Sequence, residues 1–128
     1  MIQMNLLFVC QHGAAKSVIA ALHCCRMAEA RGLRVTAASA GLEPDADVPD
    51  AVRAGLVEDG LDPAGLTPRD VKGVDPAAVD VVITFGCEAP FGGSARRVQW
   101  ENVPPVSEDY RIARDQIVAR LEVLLDSL

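Results

Sequence analysis

The sequence predicts an α/β fold, a parallel sheet wrapped by helices, from three observations. Short apolar runs typical of strands alternate with longer amphipathic segments typical of helices. Two of the runs are apolar almost throughout, as central parallel strands buried on both faces are. No internal repeat or low-complexity stretch interrupts the alternation. The chain has 128 residues, 50% of them hydrophobic, enough for one core rather than two, so we expect a single domain over residues 1–128.

The first half of the chain predicts two strands and two helices. In chain order they are a strand over Asn5–Val9, a helix over about Ser17–Arg31, a strand over about Leu33–Ala38 and a helix that Asp47 and Pro49 open. Gly32 and Gly60 end the two helices, because glycine adopts the left-handed conformation that commonly follows a helix. The Pro- and Gly-rich stretch 61–73 is expected to be a loop.

The second half predicts two more strands and a final helix. Val79–Phe85 is a near-continuous apolar run, and Arg97–Trp100 can form a short edge strand. Ser107, followed by Glu108 and Asp109, is expected to cap the last helix. That helix carries one apolar stripe at helical spacing, made of Tyr110, Ala113, Ile117, Leu121 and Leu124.

The four cysteines do not show the spacing of a disulfide framework or a metal site. Cys24 and Cys25 are adjacent on the predicted first helix, which is poor geometry for bridging each other. Cys25 falls on the apolar face of that helix and is expected to fill the core, whereas Cys24 falls off it. That face also carries Val18, Ala21, Leu22 and Ala28. We expect reduced thiols, no metal and no bound cofactor.

The charge of the chain restricts its partners. A formal net charge of -6 argues against a nucleic-acid or anionic-membrane surface, because an acidic chain repels both. No segment has the length of a membrane-spanning helix or the pattern of a secretory signal. We therefore expect a cytoplasmic protein without nucleic-acid or membrane partners, in which any anion site is local.

The segment from Cys10 to Ser17 says most about chemistry. A thiol at a strand end, followed by a short loop that feeds a helix, lies beside the unpaired N–H groups and positive end of that helix. Five residues separate Cys10 from Lys16, which lets the loop curl around a tetrahedral oxyanion. The helix end and Lys16 favour a thiolate, so we predict that Cys10 is a nucleophile. Ser17 either caps the helix or donates to the thiolate. The alternative is a buried cysteine before an ordinary loop.

These features resemble the low-molecular-weight protein tyrosine phosphatase superfamily over almost the whole chain. Besides the loop, the resemblance is carried by Ser39-Ala40-Gly41, Leu66-Thr67, Val81–Cys87, and Val98-Gln99-Trp100 before Pro104-Pro105. It implies a three-layer, doubly wound, four-stranded parallel sheet of order 2-1-3-4. It also implies an oxyanion site made of Gln11, His12, Gly13, Ala14, Ala15, Lys16 and Ser17.

Within the superfamily, the loop is more similar to that of the arsenate reductases, which typically carries His-Asn-Ala-Gly-Arg-Ser. His12, Ala14 and Ser17 match that sequence. Gly13 replaces the asparagine that orders the loop, and Lys16 replaces the arginine. A lysine is a point charge that cannot make the two-pronged contact of an arginine with an oxyanion, so we expect weaker or differently oriented binding. His12 either tunes the thiolate or pins the loop backbone.

The resemblance also shows a missing group. In the family, a Trp-Asp-x-Pro-Asp-Pro sequence supplies an aspartate as general acid, and Pro104 stands at that position here. Hydrolysis of an ester needs a proton for the leaving oxygen. Glu101, Glu108 and Asp109 either substitute for this acid or are solvated and helix-capping residues.

The resemblance implies three candidate functions. The first is arsenate reduction, with Cys10 as nucleophile, Lys16 and Ser17 in the oxyanion site, and Cys87 or an external thiol or thioredoxin-type protein completing the reduction. The second is hydrolysis of a phosphotyrosine or another phosphomonoester by the same loop. The third is a catalytically degraded module that binds an oxyanion. Cys87 has the alternative role of a small residue at a crowded strand end.

Overall fold

The computed structural model describes residues 3–88 and 93–128. Within these residues the elements are β1 (Met4–Cys10), α1 (Lys16–Ala30), β2 (Val35–Gly41), α2 (Asp50–Glu58), β3 (Val81–Phe85), β4 (Arg96–Trp100) and α3 (Tyr110–Asp126). Two 3-10 helices, Val71–Gly73 and Pro76–Ala78, lie between α2 and β3. No helix in this part of the chain has the length and apolar character needed to cross a membrane.

The four strands form a parallel sheet of order β2-β1-β3-β4, which confirms the predicted fold class and strand order. β1 pairs with β2 from Met4 opposite Val35 to Cys10 opposite Gly41. Its other side pairs with β3. The connections leave β1 and β3 in opposite directions, and ligands of such sheets bind outside the carboxyl ends of the strands at this point. Cys10 lies there.

The sheet is buried on both faces at its centre, which explains why β1 and β3 are apolar almost throughout. On the side of the helices, the core contains Phe8, Cys10 and Ile83. Trp100 is 7% exposed and packs in the same core, with ring centroids 5.8 Å from Phe8 and 5.4 Å from Phe85. Trp100 therefore anchors the edge strand.

Several element boundaries differ from the predictions. β2 begins at Val35 rather than Leu33, and its pairing with β1 continues as far as Gly41. The loop after α2 ends in the 3-10 helix Val71–Gly73. The predicted cap of α3 is wrong: the carboxylate of Asp109 accepts the Ile112 N–H at 3.2 Å, and Asp109 is the N-cap. An aspartate directly before the first helical residue is better placed for this bond than a serine two residues earlier.

The predicted orientation of α1 is wrong at its two cysteines. Cys24 is fully buried and Cys25 is exposed. α1 packs against both β2 and α3, so its buried surface is wider than one stripe and includes Cys24. Burial raises the pKa of Cys24 to about 12, which keeps this thiol protonated and unreactive at neutral pH.

A buried polar cluster joins the three helices. Asp59, which follows α2, accepts hydrogen bonds from Arg114 and, at 2.8 Å, from the Tyr110 hydroxyl. Nε2 of His23 lies 3.1 Å from the same carboxylate, and Nδ1 lies 3.4 Å from a guanidinium nitrogen of Arg26. Burial lowers the pKa of His23 below its ordinary 6.5. The neutral ring therefore donates from Nε2 to Asp59 and accepts at Nδ1 from Arg26.

Because His23 is buried as a neutral ring, we expect the protein to lose stability in mild acid. Below about pH 6.5 the unfolded chain binds a proton on this ring, whereas the folded chain, with its lowered pKa, does not. The free energy of unfolding therefore falls as the pH drops from about 7 to 5, by at most about 1.4 kcal/mol per pH unit from this group. Urea unfolding at several pH values measures the effect. His23→Gln should flatten the dependence, and equal slopes in wild type and His23→Gln contradict this assignment.

Candidate functional site

The end of β1 and the start of α1 bring Cys10 and Ser17 together. Cys10 Sγ lies 3.0 Å from Ser17 Oγ, and the two residues are 8% and 0% exposed. Ser17 is the second residue of α1, and the helix start has no side-chain cap. The sequence leaves two roles open for the Ser17 hydroxyl, capping the helix or donating to the thiolate. Its position favours donation to the sulfur. A hydroxyl that donates to a thiolate stabilises its charge.

Residues 11–17, which we call the cradle, connect the thiol to α1. Within residues 3–88 and 93–128, no acceptor takes the N–H groups of Ala14, Ala15, Lys16 or Ser17. Such N–H groups and the positive end of a helix favour an anion. The cradle therefore offers several donors beside the sulfur of Cys10.

A neighbouring segment holds the cradle in place. The segment after β2 runs beside the cradle and donates three backbone hydrogen bonds to residues 10–12. They run from Leu42 N–H to the Cys10 carbonyl (3.3 Å), from Glu43 N–H to the Gln11 carbonyl (2.8 Å) and from Asp45 N–H to the His12 carbonyl (3.1 Å). Nδ1 of His12 lies 3.3 Å from the Glu43 carbonyl and 3.4 Å from the Asp45 carboxylate. Both partners accept, so Nδ1 carries the proton. His12 thus pins the loop backbone, one of its two predicted roles.

Gly13 and Gly41 make a close backbone contact across the loop. Gly13 has φ +60°, and a Cβ added there would lie 2.7 Å from the Gly41 nitrogen. A Cβ on Gly41 would lie 2.5 Å from the Gly13 nitrogen. Side chains cannot be accommodated at these distances without movement of the backbone. Gly13 and Gly41 therefore permit the loop to approach the end of β2 this closely.

The ammonium of Lys16 has a partner that the sequence does not reveal. Its Nζ donates to the Val103 carbonyl, in the segment after β4, at 2.8 Å. An ammonium has three N–H donors, so this bond uses one of the three. Lys16 therefore joins the start of α1 to the segment that leads to Pro104.

Cys87 reaches the same edge of the sheet as Cys10 but packs differently. Gly86, with φ +66°, turns the chain after β3. The half-buried Cys87 Sγ lies 3.8 Å from the Val9 carbonyl and packs on the opposite face of the sheet from Cys10. Burial raises the pKa of the Cys87 thiol, and the charge of Cys10 raises it further. Both thiols are free, and Cys87 is protonated at rest.

The acidic residues near Pro104 do not replace the missing acid in this arrangement. The carboxylate of Asp109 caps α3. Glu101 and Glu108 are exposed, and within the described residues neither carboxylate contacts the cradle. Pro104 itself is half-buried beside the buried Val103. The described site thus combines a thiol, a hydroxyl, an ammonium and backbone donors.

Comparison with known proteins finds a matching family and two kinds of enzyme with a similar fold. The sequence profile of the low molecular weight phosphotyrosine protein phosphatase family matches residues 5–98. An arsenate reductase from Archaeoglobus fulgidus is 30% identical, with a TM-score of 0.81 over 94% of this chain and 98% of that one. A low molecular weight protein tyrosine phosphatase from T. tengcongensis is 18% identical, with a TM-score of 0.86 over 98% and 100%. A thioredoxin-dependent arsenate reductase from Corynebacterium glutamicum is 27% identical, with a TM-score of 0.80 over 99% and 62%. Curated proteins give no significant match.

Removal of the Ser17 hydroxyl is expected to make Cys10 less reactive near neutral pH. A hydrogen bond to a charged group contributes about 1.5–3 kcal/mol, and the Ser17 hydroxyl lies 3.0 Å from the Cys10 sulfur. Alkylation of Cys10 by iodoacetamide, followed by mass spectrometry, should therefore be about tenfold slower in Ser17→Ala than in wild type. Ser107→Ala, at an exposed serine, is the control. Equal alkylation rates in wild type and Ser17→Ala contradict a donor role.

The close contact between Gly13 and Gly41 predicts that one added methyl group strongly destabilises the fold. Gly41→Ala should lower the free energy of unfolding by about 1–3 kcal/mol, because the added Cβ overlaps the Gly13 backbone. Gly73→Ala is the matched control, since a Cβ there meets no atom within 4 Å, and it should change stability by less than about 0.5 kcal/mol. Urea unfolding measures both. A Gly41→Ala protein as stable as Gly73→Ala excludes the proposed crowding.

Proposed function

Because the chain belongs to the low molecular weight phosphotyrosine protein phosphatase family, we propose that it is a cysteine-dependent arsenate reductase. Its nucleophile is Cys10 and its oxyanion site is the cradle. One observation carries the choice of reaction: a second thiol, Cys87, lies at the same edge of the sheet as Cys10, on the opposite face, and its pKa responds to the charge of Cys10. Pro104 stands at the position of the family's acid. A second thiol serves reduction, whereas a leaving-group acid serves ester hydrolysis.

The first step suits the groups that are present. The Cys10 thiolate attacks arsenic, an S–As bond forms, and an As–OH bond breaks. The leaving hydroxide takes one proton from solvent and becomes water, so the loss of a positioned carboxylic acid matters less than for an ester oxygen, which carries no proton of its own. The cradle N–H groups and the Lys16 ammonium stabilise the charge on the remaining oxygens.

The second step needs another thiol. Its sulfur attacks the Cys10 sulfur, an S–S bond forms, and the S–As bond breaks with its electron pair on arsenic. Arsenic is thereby reduced from As(V) to As(III), and two thiols are oxidised to one disulfide. Cys87 is the candidate within the chain, and an external thiol or a thioredoxin-type protein can either replace it or reduce the resulting disulfide.

Hydrolysis of phosphomonoesters is the second candidate function. The Cys10–Ser17 pair and the cradle are equally suited to a phosphocysteine intermediate, and the family profile covers both cradle and sheet. This reaction needs a proton for the leaving oxygen, and loss of a positioned acid typically costs about 10²- to 10⁴-fold. The third candidate function is binding of an oxyanion without catalysis.

Two assays on one set of variants separate these functions. Arsenite formation with dithiothreitol and hydrolysis of p-nitrophenyl phosphate are measured on wild type, Cys10→Ser and Pro104→Asp. We expect Cys10-dependent arsenite formation in wild type, and at least tenfold faster ester hydrolysis, without faster arsenite formation, in Pro104→Asp. Pro105→Asp, at the exposed neighbour, is the control. Rapid ester hydrolysis without arsenite formation by wild type supports a phosphatase instead, and neither activity supports a binding module.

A further inference from the structure

The outer side of β4 is an open strand edge. β4 ends the sheet, and within the described residues it pairs with β3 alone. The Arg96 N–H donates to the Asp80 carbonyl at 2.9 Å, just before β3, so the backbone of Arg96 faces β3. Because successive residues of a strand direct their backbone groups to opposite sides, the N–H and C=O of Gln99 face away from β3. Neither group has a partner in residues 3–88 and 93–128.

A groove of about 510 Å³ lies between β4 and α3. Its apolar lining includes Val98 and Trp100 of β4, and Val123 and Leu124 of α3. Val123 is 71% exposed, whereas Trp100 and Leu124 are 7% and 5% exposed. An unpaired strand edge beside an apolar groove suits an extended peptide that adds as a strand and places alternate side chains in the groove.

The charged residues that line the groove, Arg96 and Arg120, are both cations. Arg96 begins β4, and Arg120 donates at 2.6 Å to the carbonyl of Glu101, which directly follows β4. The two cations therefore lie at opposite ends of the strand. Within the described residues, no carboxylate forms an ion pair with either guanidinium. In a chain of net charge -6, a groove with this charge favours an acidic occupant.

A second copy of the chain is a poorer occupant of the groove. Pairing of two β4 strands across a two-fold axis brings the same residues of both copies into one interface. The exposed side chains of Arg96 and Arg97 would then meet their own copies across it, together with Arg120. Like charges that face each other across paired strands destabilise the pairing.

We propose that this groove binds an extended acidic segment of a partner protein as a fifth strand of the sheet. The segment pairs with the backbone of Gln99 and presents an acidic, an apolar and a second acidic side chain at alternate positions. Alternate residues of a strand share a face, and the first and fifth lie about 13 Å apart. The acidic side chains meet Arg96 and Arg120, and the apolar one packs on Val98 and Val123. No cradle residue lines the groove, so this proposal is independent of the proposed reaction.

The probe is the peptide Glu-Thr-Val-Thr-Glu, labelled with fluorescein at its amino end and amidated at the other. Its binding to the full-length protein is measured by fluorescence anisotropy. We expect saturable binding that weakens as NaCl is raised from about 0.05 to about 0.5 M. A peptide with lysine in place of both glutamates should bind at least about tenfold more weakly. The acidic peptide N-methylated at its three central residues should also bind at least about tenfold more weakly, because it cannot pair with a strand edge.

Substitutions on the protein locate the binding site. Arg96→Glu and Arg120→Glu should each weaken binding at least about fivefold. Lys72→Glu makes the same charge change at an exposed lysine outside the groove, and it should alter binding less than about twofold. Val123→Ser should weaken binding at least about threefold. Its control is Val57→Ser, at another exposed valine, which should bind as wild type does.

Hydrogen exchange of the Gln99 amide, followed by NMR, tests whether the peptide adds to the sheet. Exchange should slow in the complex, because the amide then donates to the peptide. Unchanged exchange overturns strand addition, and wild-type affinity in both Arg96→Glu and Arg120→Glu overturns the site. Equal binding of the lysine peptide, or no saturable binding of the acidic one, overturns the acidic partner. A wild-type dimer in sedimentation that the peptide dissociates assigns the groove to a second copy instead.

The outcome of this test is separate from that of the proposed reaction. Cys10→Ser, which removes the nucleophile, should bind the peptide as tightly as wild type does. Peptide binding without arsenite formation supports the groove and overturns the reductase, and arsenite formation without peptide binding does the reverse.

Discussion

The backbone contact between Gly13 and Gly41 is the constraint on which the site depends. The pairing of β1 with β2 runs to Cys10 opposite Gly41, and the loop then folds back so closely that neither glycine has room for a Cβ. Because the loop is closed in this way, α1 begins where Ser17 Oγ lies 3.0 Å from the Cys10 sulfur. The geometry at sulfur thus follows from the end of the sheet.

The position of α1 also depends on its packing further along the helix. His23 and Arg26 of α1 meet Asp59 after α2, and the same carboxylate binds Arg114 of α3. Within the described residues, no buried side-chain nitrogen or oxygen lacks a hydrogen-bond partner. A satisfied buried network resists displacement because breaking one bond leaves another polar group unpaired. The cluster therefore keeps the helix, and the cradle at its start, in a fixed position.

The sequence predicted those features that depend on local pattern. Apolar runs and helix-ending glycines predicted the strands and helices, and the spacing of Cys10 and Ser17 predicted the loop between them. Apart from the cap of α3, which is Asp109 rather than Ser107, the predictions were wrong or incomplete where distant parts of the chain decide. Cys24 is buried because α1 packs against two elements rather than one. The bond from Lys16 to Val103 joins residues 87 positions apart, and nothing in either segment alone signals it.

A count of free thiols measures most directly whether Cys10 and Cys87 act together on arsenate. Fully reduced protein is titrated anaerobically before and after arsenate is added, beside Cys10→Ser, Cys87→Ser and, as the control at an exposed thiol, Cys25→Ser. We predict loss of a thiol pair in wild type and in Cys25→Ser, and no loss of a pair in the other two variants. No loss in wild type, or loss of a pair that persists in Cys10→Ser or Cys87→Ser, contradicts reduction of arsenate by this pair.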